Sequence, residues 1–174
     1  MRTKCLSLIA LAVSAVPVYA GGSGNAVIYR DRAYGYEVVF PGKPTKKTLS
    51  KGSPDRGMPI DRVMCGSENE GASVFVMPLP ANAGQNLRQM AVGMLLKNMQ
   101  AQPGEVLKRD ETVQIGADVG QHVLLSKNEK WWSEAFIFLH GSRLFVLMTA
   151  STSVQGLQAA CYRTFYGSFK FTGR

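Results

Sequence analysis

Few side chains in this sequence could do covalent chemistry. There are two histidines, His122 and His140, and three cysteines, Cys5, Cys65 and Cys161. A zinc site draws three or four such ligands at short spacing, and no C-x-x-C, H-x-x-x-H or His/Glu cluster occurs. No metal and no other cofactor is expected. Cys161 shares a helix face with Val154, Leu157 and Phe165, which is not the electropositive, part-exposed setting that makes a thiolate. Asp110 and Glu111 are neighbours on a strand, where successive side chains point to opposite faces, so they are unsuited to sharing a proton or flanking one bond. Glu68 and Glu70, with Asn69, lack the ligand count of a dedicated calcium site. Neither a G-x-S-x-G elbow nor a P-loop is found. His140, just before the Gly141-Ser142 turn and opposite Arg143, and His122, beside Val123 and Leu124, are expected to be hydrogen-bonded structural residues. The chain reads as non-enzymatic, with a hydrolase of unrecognised site as the catalytic alternative.

Binding is better represented. Lys43, Lys46, Lys47, Lys51 and Arg56 fall within fourteen positions that hold one acid, Asp55. Such a run steers an anionic partner, or simply keeps an exposed sheet edge solvated. Trp131 and Trp132 follow the polar stretch from Lys127 to Lys130. Adjacent strand residues face opposite ways, so one indole is expected in the core and the other at the rim, where tryptophan makes an effective interface anchor.

The N-terminus carries Arg2 and Lys4, runs apolar from Leu6 to Val18 and ends in small residues at Ala20, which is the layout of a cleavable signal peptide. Residues 1–20 are read as that peptide, 21–27 as a flexible lead-in, and 28–174 as one domain. The apolar run is too short to span a bilayer, and no transmembrane segment is expected after cleavage. Cleavage leaves 154 of the 174 residues, with 18 basic against 12 acidic side chains, a net charge of +6. Export to the periplasm, or alternatively to the medium, makes nucleic acid an unsuitable partner and favours anionic lipid headgroups, cell-wall polymers or an acidic protein surface, the last being the partner expected here. In an oxidising compartment the two remaining cysteines, Cys65 and Cys161, are expected to form one disulfide.

Tyr36 to Phe40 reads as a half-buried strand stopped by the proline turn at 41–44. Residues 45–57 are either a ragged strand ending near Leu49 plus a loop, or loop throughout. Ile60 to Cys65 and Ser73 to Met77 form an antiparallel pair. A helix is predicted over 83–101, with Asn82 as N-cap and Leu87, Met90, Ala91, Met94 and Leu95 at helical spacing. Four runs, 105–114, 118–126, 132–140 and 143–150, predict an antiparallel meander. Its last two are apolar on consecutive residues and so are buried on both faces. A second helix is predicted over 153–166, followed by an extended tail at 168–171. The class is α+β, an antiparallel sheet sandwiched between helices.

Tyr36-Glu-Val-Val-Phe40 with Pro41 to Pro44, and Phe165 to Phe171 at the other end, resemble the opening and closing segments of the PsbP/Mog1-like superfamily, as does the element order across 28–172. The resemblance implies an α/β/α sandwich used for binding: photosystem assembly subunits, a small-GTPase-binding nuclear factor, DcrB-like bacterial envelope proteins and effector chaperones. No binding-site motif of any branch matches residue by residue. The expectation is an exported, non-enzymatic protein-binding module of the bacterial envelope, an accessory or assembly factor. The alternative within binding is a periplasmic immunity protein that inhibits a delivered toxin. Oligomeric state is not readable.

Overall fold

The computed structural model describes residues 25–49, 60–67, 70–80 and 85–172. Residues 1–20, read from sequence as a signal peptide, and Lys51, Arg56 and the proposed cap Asn82 lie outside them. The chain runs β1 (Val27–Asp31), β2 (Tyr36–Phe40), β3 (Thr45–Thr48), β4 (Asp61–Gly66), β5 (Gly71–Pro78), α1 (Gln85–Gln100), β6 (Glu105–Ile115), β7 (Asp118–Lys127), β8 (Trp131–His140), β9 (Arg143–Ser151), α2 (Val154–Leu157), α3 (Ala160–Ser168) and β10 (Lys170–Phe171).

The expected meander β6-β7-β8-β9 forms, and its last strand pairs antiparallel with β5 along Gly71–Pro78. That pairing fuses the meander to the β3-β4-β5 unit as a seven-stranded sheet ordered β3-β4-β5-β9-β8-β7-β6. Alternation along β9 divides the core in two. Phe145 and Leu147 face one way with Val63, Val74, Val76 and Phe138, while Leu144 and Val146 face the other with Val123, Ala135 and Ile137. Two-sided burial explains why this strand is apolar on consecutive positions.

The first face is closed by a three-stranded sheet, order β1-β2-β10, together with α3. Tyr36, Val38 and Phe40 point inward from β2 by strand periodicity, and Tyr36 meets Phe145 edge-on at 6.0 Å while Phe40 meets Phe165 at 5.2 Å. The second face is closed by α1 through Val92, Leu95, Leu96 and Met99. The molecule is thus mainly antiparallel sheet, and the expected covering of both faces by helices is corrected: one face is covered by a second sheet as well as by helix.

Two further expectations change. The inward stripe of α1 runs i, i+3, i+4, i+7 from Val92, and Met90 and Met94, placed on the apolar face from sequence, are each 58% exposed. The C-terminal helix is broken. Ser153 caps α2 by accepting from the Gly156 N–H at 3.0 Å, the chain leaves helical geometry at Ala159, and α3 starts in a new phase. Tyr162 and Phe165 then face the core and Cys161 is exposed, not on the buried face where a continuous helix would have put it.

Candidate functional site

Directly opposed residues on neighbouring strands share a face. One row, Lys47–Arg62–Phe75–Val146–Ile137, crosses the sheet on the α1 side. Arg62 interrupts an otherwise largely apolar strand and is 8% exposed. Its guanidinium lies over the Phe75 ring, 5.1 Å from the centroid, and donates to the Ser73 hydroxyl at 3.4 Å. A cation on an aromatic face is favourable when desolvated.

A cavity of about 560 Å³ opens beside the C-terminal end of helix α1. Arg62, Lys127, Trp131 and Trp132 line it, with Met99 from the helix and Glu105 from the start of β6. Burial raises the Glu105 carboxyl above its ordinary range, with the Lys127 charge pulling it back down. A second cavity of about 230 Å³ adjoins the first, since Phe75, Met99 and Met148 line both. Its remaining walls are Leu49, Ile60, Met77, Leu95, Leu144 and Val146, all apolar.

The tryptophans owe their place to a tight turn. Asn128 and Glu129 both have positive φ, 53° and 55°, and the Lys130 N–H donates to the Lys127 carbonyl at 3.1 Å, which closes a three-residue loop between Lys127 and its partner Trp131. Trp131 is 37% exposed and Trp132 is less so. Both line the cavity, which differs from the expected split between core and rim.

The described basic residues and the tryptophans are not brought together. Strand β3 lies four strand spacings from β8, about 19 Å. Lys46 faces the opposite side from Lys47 and is bound within the fold, its ammonium 2.9 Å from Asp31 and 3.4 Å from Asp61. Burial works to lower its pKa, but the hydrogen bonds and charges of Asp31 and Asp61 outweigh this and raise it. The Tyr34 ring sits between Lys46 and Arg143, at 5.0 and 5.2 Å, and its hydroxyl donates to Asp61 at 2.8 Å. This network clips the β1–β2 turn to the large sheet. Lys43, Lys46 and Lys47 are all exposed.

Across 91% of this chain and 97% of the other, the structure superposes on the solution structure of cyanobacterial PsbP from Synechocystis, with a TM-score of 0.59 and 16% identity. The fold is PsbP-like. A Pseudomonas aeruginosa protein of unknown function aligns over 78% of this chain and 88% of its own, with a TM-score of 0.42 and 13% identity. No family model and no curated protein matches the chain.

In this PsbP-like frame the groups that could do chemistry are held by neighbours. His122 Nε2 lies 2.7 Å from Glu134, and its ring stacks on Phe136 at 4.3 Å. His140 Nδ1 lies 2.8 Å from Asp118, and its ring stacks on Phe171 at 3.5 Å. Cys65 and Cys161 are free thiols, so the expected bridge is not formed in this structure. Burial, and then the nearby Cys161, push the Cys65 thiol above its ordinary pKa. Among the described residues no group of three His, Cys, Asp or Glu could hold a metal ion, and no helix is long and apolar enough to cross a membrane. Sequence reasoning missed Arg62 and Glu105 as members of the site and used Lys127 only as a neighbour of the tryptophans. The one available signal was an arginine inside the strand run from Ile60 to Cys65.

Proposed function

We propose that this protein is an exported, non-catalytic accessory or assembly factor of the bacterial envelope that binds another protein. The observation that carries the reading is Trp131, a large aromatic left 37% exposed at the mouth of a cavity with cationic groups in its walls. Interface hot spots have that composition. The PsbP-like fold is consistent with it, although a fold hosts many functions. Lys47 and Lys43, exposed at one edge, would raise the association rate toward an acidic partner, and Trp131 would slow dissociation. Lys46 is exposed too, but its charge is offset by the two carboxylates it pairs with, so it adds less to that field.

Surface plasmon resonance against a partner captured from envelope extracts tests the reading. Lys47→Glu is expected to slow association and flatten its salt dependence. Trp131→Ala is expected to speed release by an amount worth about 2 kcal/mol. Wild-type kinetics in both variants would overturn the proposal. The same reading places the mature N-terminus at Gly21 and oxidises Cys65 with Cys161. N-terminal sequencing and the non-reduced intact mass of protein recovered from the periplasm check both.

A further inference from the structure

The larger cavity is a groove between the end of α1 and the β7–β8 hairpin. Directly opposed strand residues share a face, and Glu105, Lys127 and Trp131 stand opposite one another across β6, β7 and β8. Ser133, two residues further along β8, lies on the same face. The facing rim comes from the helix. Asn98 in its last turn and Gln102 just beyond its end are both exposed, and both line the groove. The Gln102 carbonyl accepts from the Glu105 N–H at 3.1 Å, which fixes the turn joining the two rims. Arg62 is engaged within the fold by the Phe75 ring and the Ser73 hydroxyl, and no ligand role falls to it.

The rims therefore offer a broad indole face together with two amides and a hydroxyl. Each of these polar groups both donates and accepts, while Glu105 adds an acceptor and Lys127 a donor. A purely apolar ring would cover the indole and strip water from Asn98, Gln102 and Ser133 without replacing its hydrogen bonds, at a cost for each. A small ion would leave the aromatic wall uncovered. A pyranose ring meets both demands, because its axial C–H bonds make apolar faces that lie flat on an aromatic ring while its hydroxyls form a polar rim. This holds best where every hydroxyl is equatorial, as in gluco-configured rings, and a β-1,4 linkage keeps successive rings in one flat ribbon.

We propose that the groove beside the end of α1 binds a short neutral oligosaccharide of β-1,4-linked, gluco-configured rings. One ring stacks on Trp131 at the mouth, and the next reaches Asn98, Gln102 and Ser133. The volume of about 560 Å³ is that of a small-molecule site. Glycan binding goes beyond the protein-binding reading and shares only Trp131 with it.

Chitotriose and cellotriose, which have this geometry and differ at C2, are the probes. Either, titrated into the purified chain, is expected to shift tryptophan emission saturably, since both indoles line the groove. By calorimetry, affinity is expected to fall about tenfold in Trp131→Ala, which loses the stacking face. It is expected to fall about fivefold in Asn98→Ala, which loses one hydrogen bond at a position where alanine favours the helix. Trp131→Phe, which keeps a ring, is expected to hold most of the affinity. Maltotriose, with the same rings in α-linkage, is expected to bind more weakly than either probe. Far-ultraviolet circular dichroism checks that each variant is folded. A preference for chitotriose would assign the ligand to amino-sugar glycans, and a preference for cellotriose to plain glucans. No saturable shift with either probe, or maltotriose binding as tightly as both, would overturn the proposal. Wild-type affinity in folded Trp131→Ala or Asn98→Ala would overturn the placement of the ligand. The titration needs no protein partner, so its failure leaves capture through Trp131 intact. Failure of capture with a positive titration would remove the protein partner and leave the glycan.

Discussion

Phe138 shows what a single ring does in this core. It is fully buried, stacks on Phe145 at 5.7 Å and meets Phe169 and Phe171 edge-on. Phe138→Ala is expected to cost about 3–5 kcal/mol, read as a lower urea midpoint at unchanged slope. Asp61 makes a pH-dependent contribution. Its pKa is held below the usual carboxylate value first by the Thr48 hydroxyl and then, against the opposing pull of burial, by the Tyr34 hydroxyl and Lys46. A carboxylate depressed in the folded state adds stability that is fully present above its unfolded value, about pH 4, and is lost as pH falls through its folded value. Asp61→Asn should therefore cost about 1–2 kcal/mol at neutral pH, and its difference from wild type should shrink in urea titrations below pH 4. The burial of Phe138 was legible in the sequence, because two-sided apolar strands announce themselves. The partnership of Lys46 with Asp31 and Asp61 was not. In the sequence Lys46 belongs to a lysine-rich run, and only the fold shows that two acids from different strands face it.

At the scale of elements, the meander was legible because each strand alternates or is continuously apolar and each turn has its own residues. The β7–β8 turn is an exception that the fold overrides, since Glu129 holds φ 55° where a residue with a Cβ is disfavoured. Glu129→Gly is expected to stabilise the protein by about 1 kcal/mol, net of the exposed Lys108–Glu129 pair at 3.7 Å, and to raise Tm by about 2–4 °C in calorimetry. Helix phase was less legible. Met90 and Met94 fit the spacing as well as Val92 and Leu96 do, and only the sheet beneath decides which stripe is buried. The break at Gln158 and Ala159 carried no proline or cap signal, because tertiary contact sets it. Gly156 packs so closely that a Cβ would lie 2.0 Å from Ser151 Oγ, and the α2 turn is pinned there while Tyr162 and Phe165 must still reach the core.

For the whole molecule, the least legible feature was the joining of β5 to β9, since no local pattern specifies a partner some seventy residues away in sequence. The groove follows from it. Arg62 and Phe75 meet the methionine side of β9 only through that pairing, and so the lysine run drew attention while the arginine did not. The same pairing also sets an order of events. The strand at the centre of the large sheet, β9, follows all its sheet neighbours in sequence, and β10, which closes the small sheet on β2, is the last element among the described residues. Contacts of this separation are slow to form, and until β9 has emerged β5 has no neighbour on that side. The β3-β4-β5 unit therefore cannot join the large sheet until β9 is available to pair with β5. On the export route proposed above, a large sheet that cannot close until β9 meets β5 acts as a timer, keeping the earlier strands extended enough for a narrow translocon.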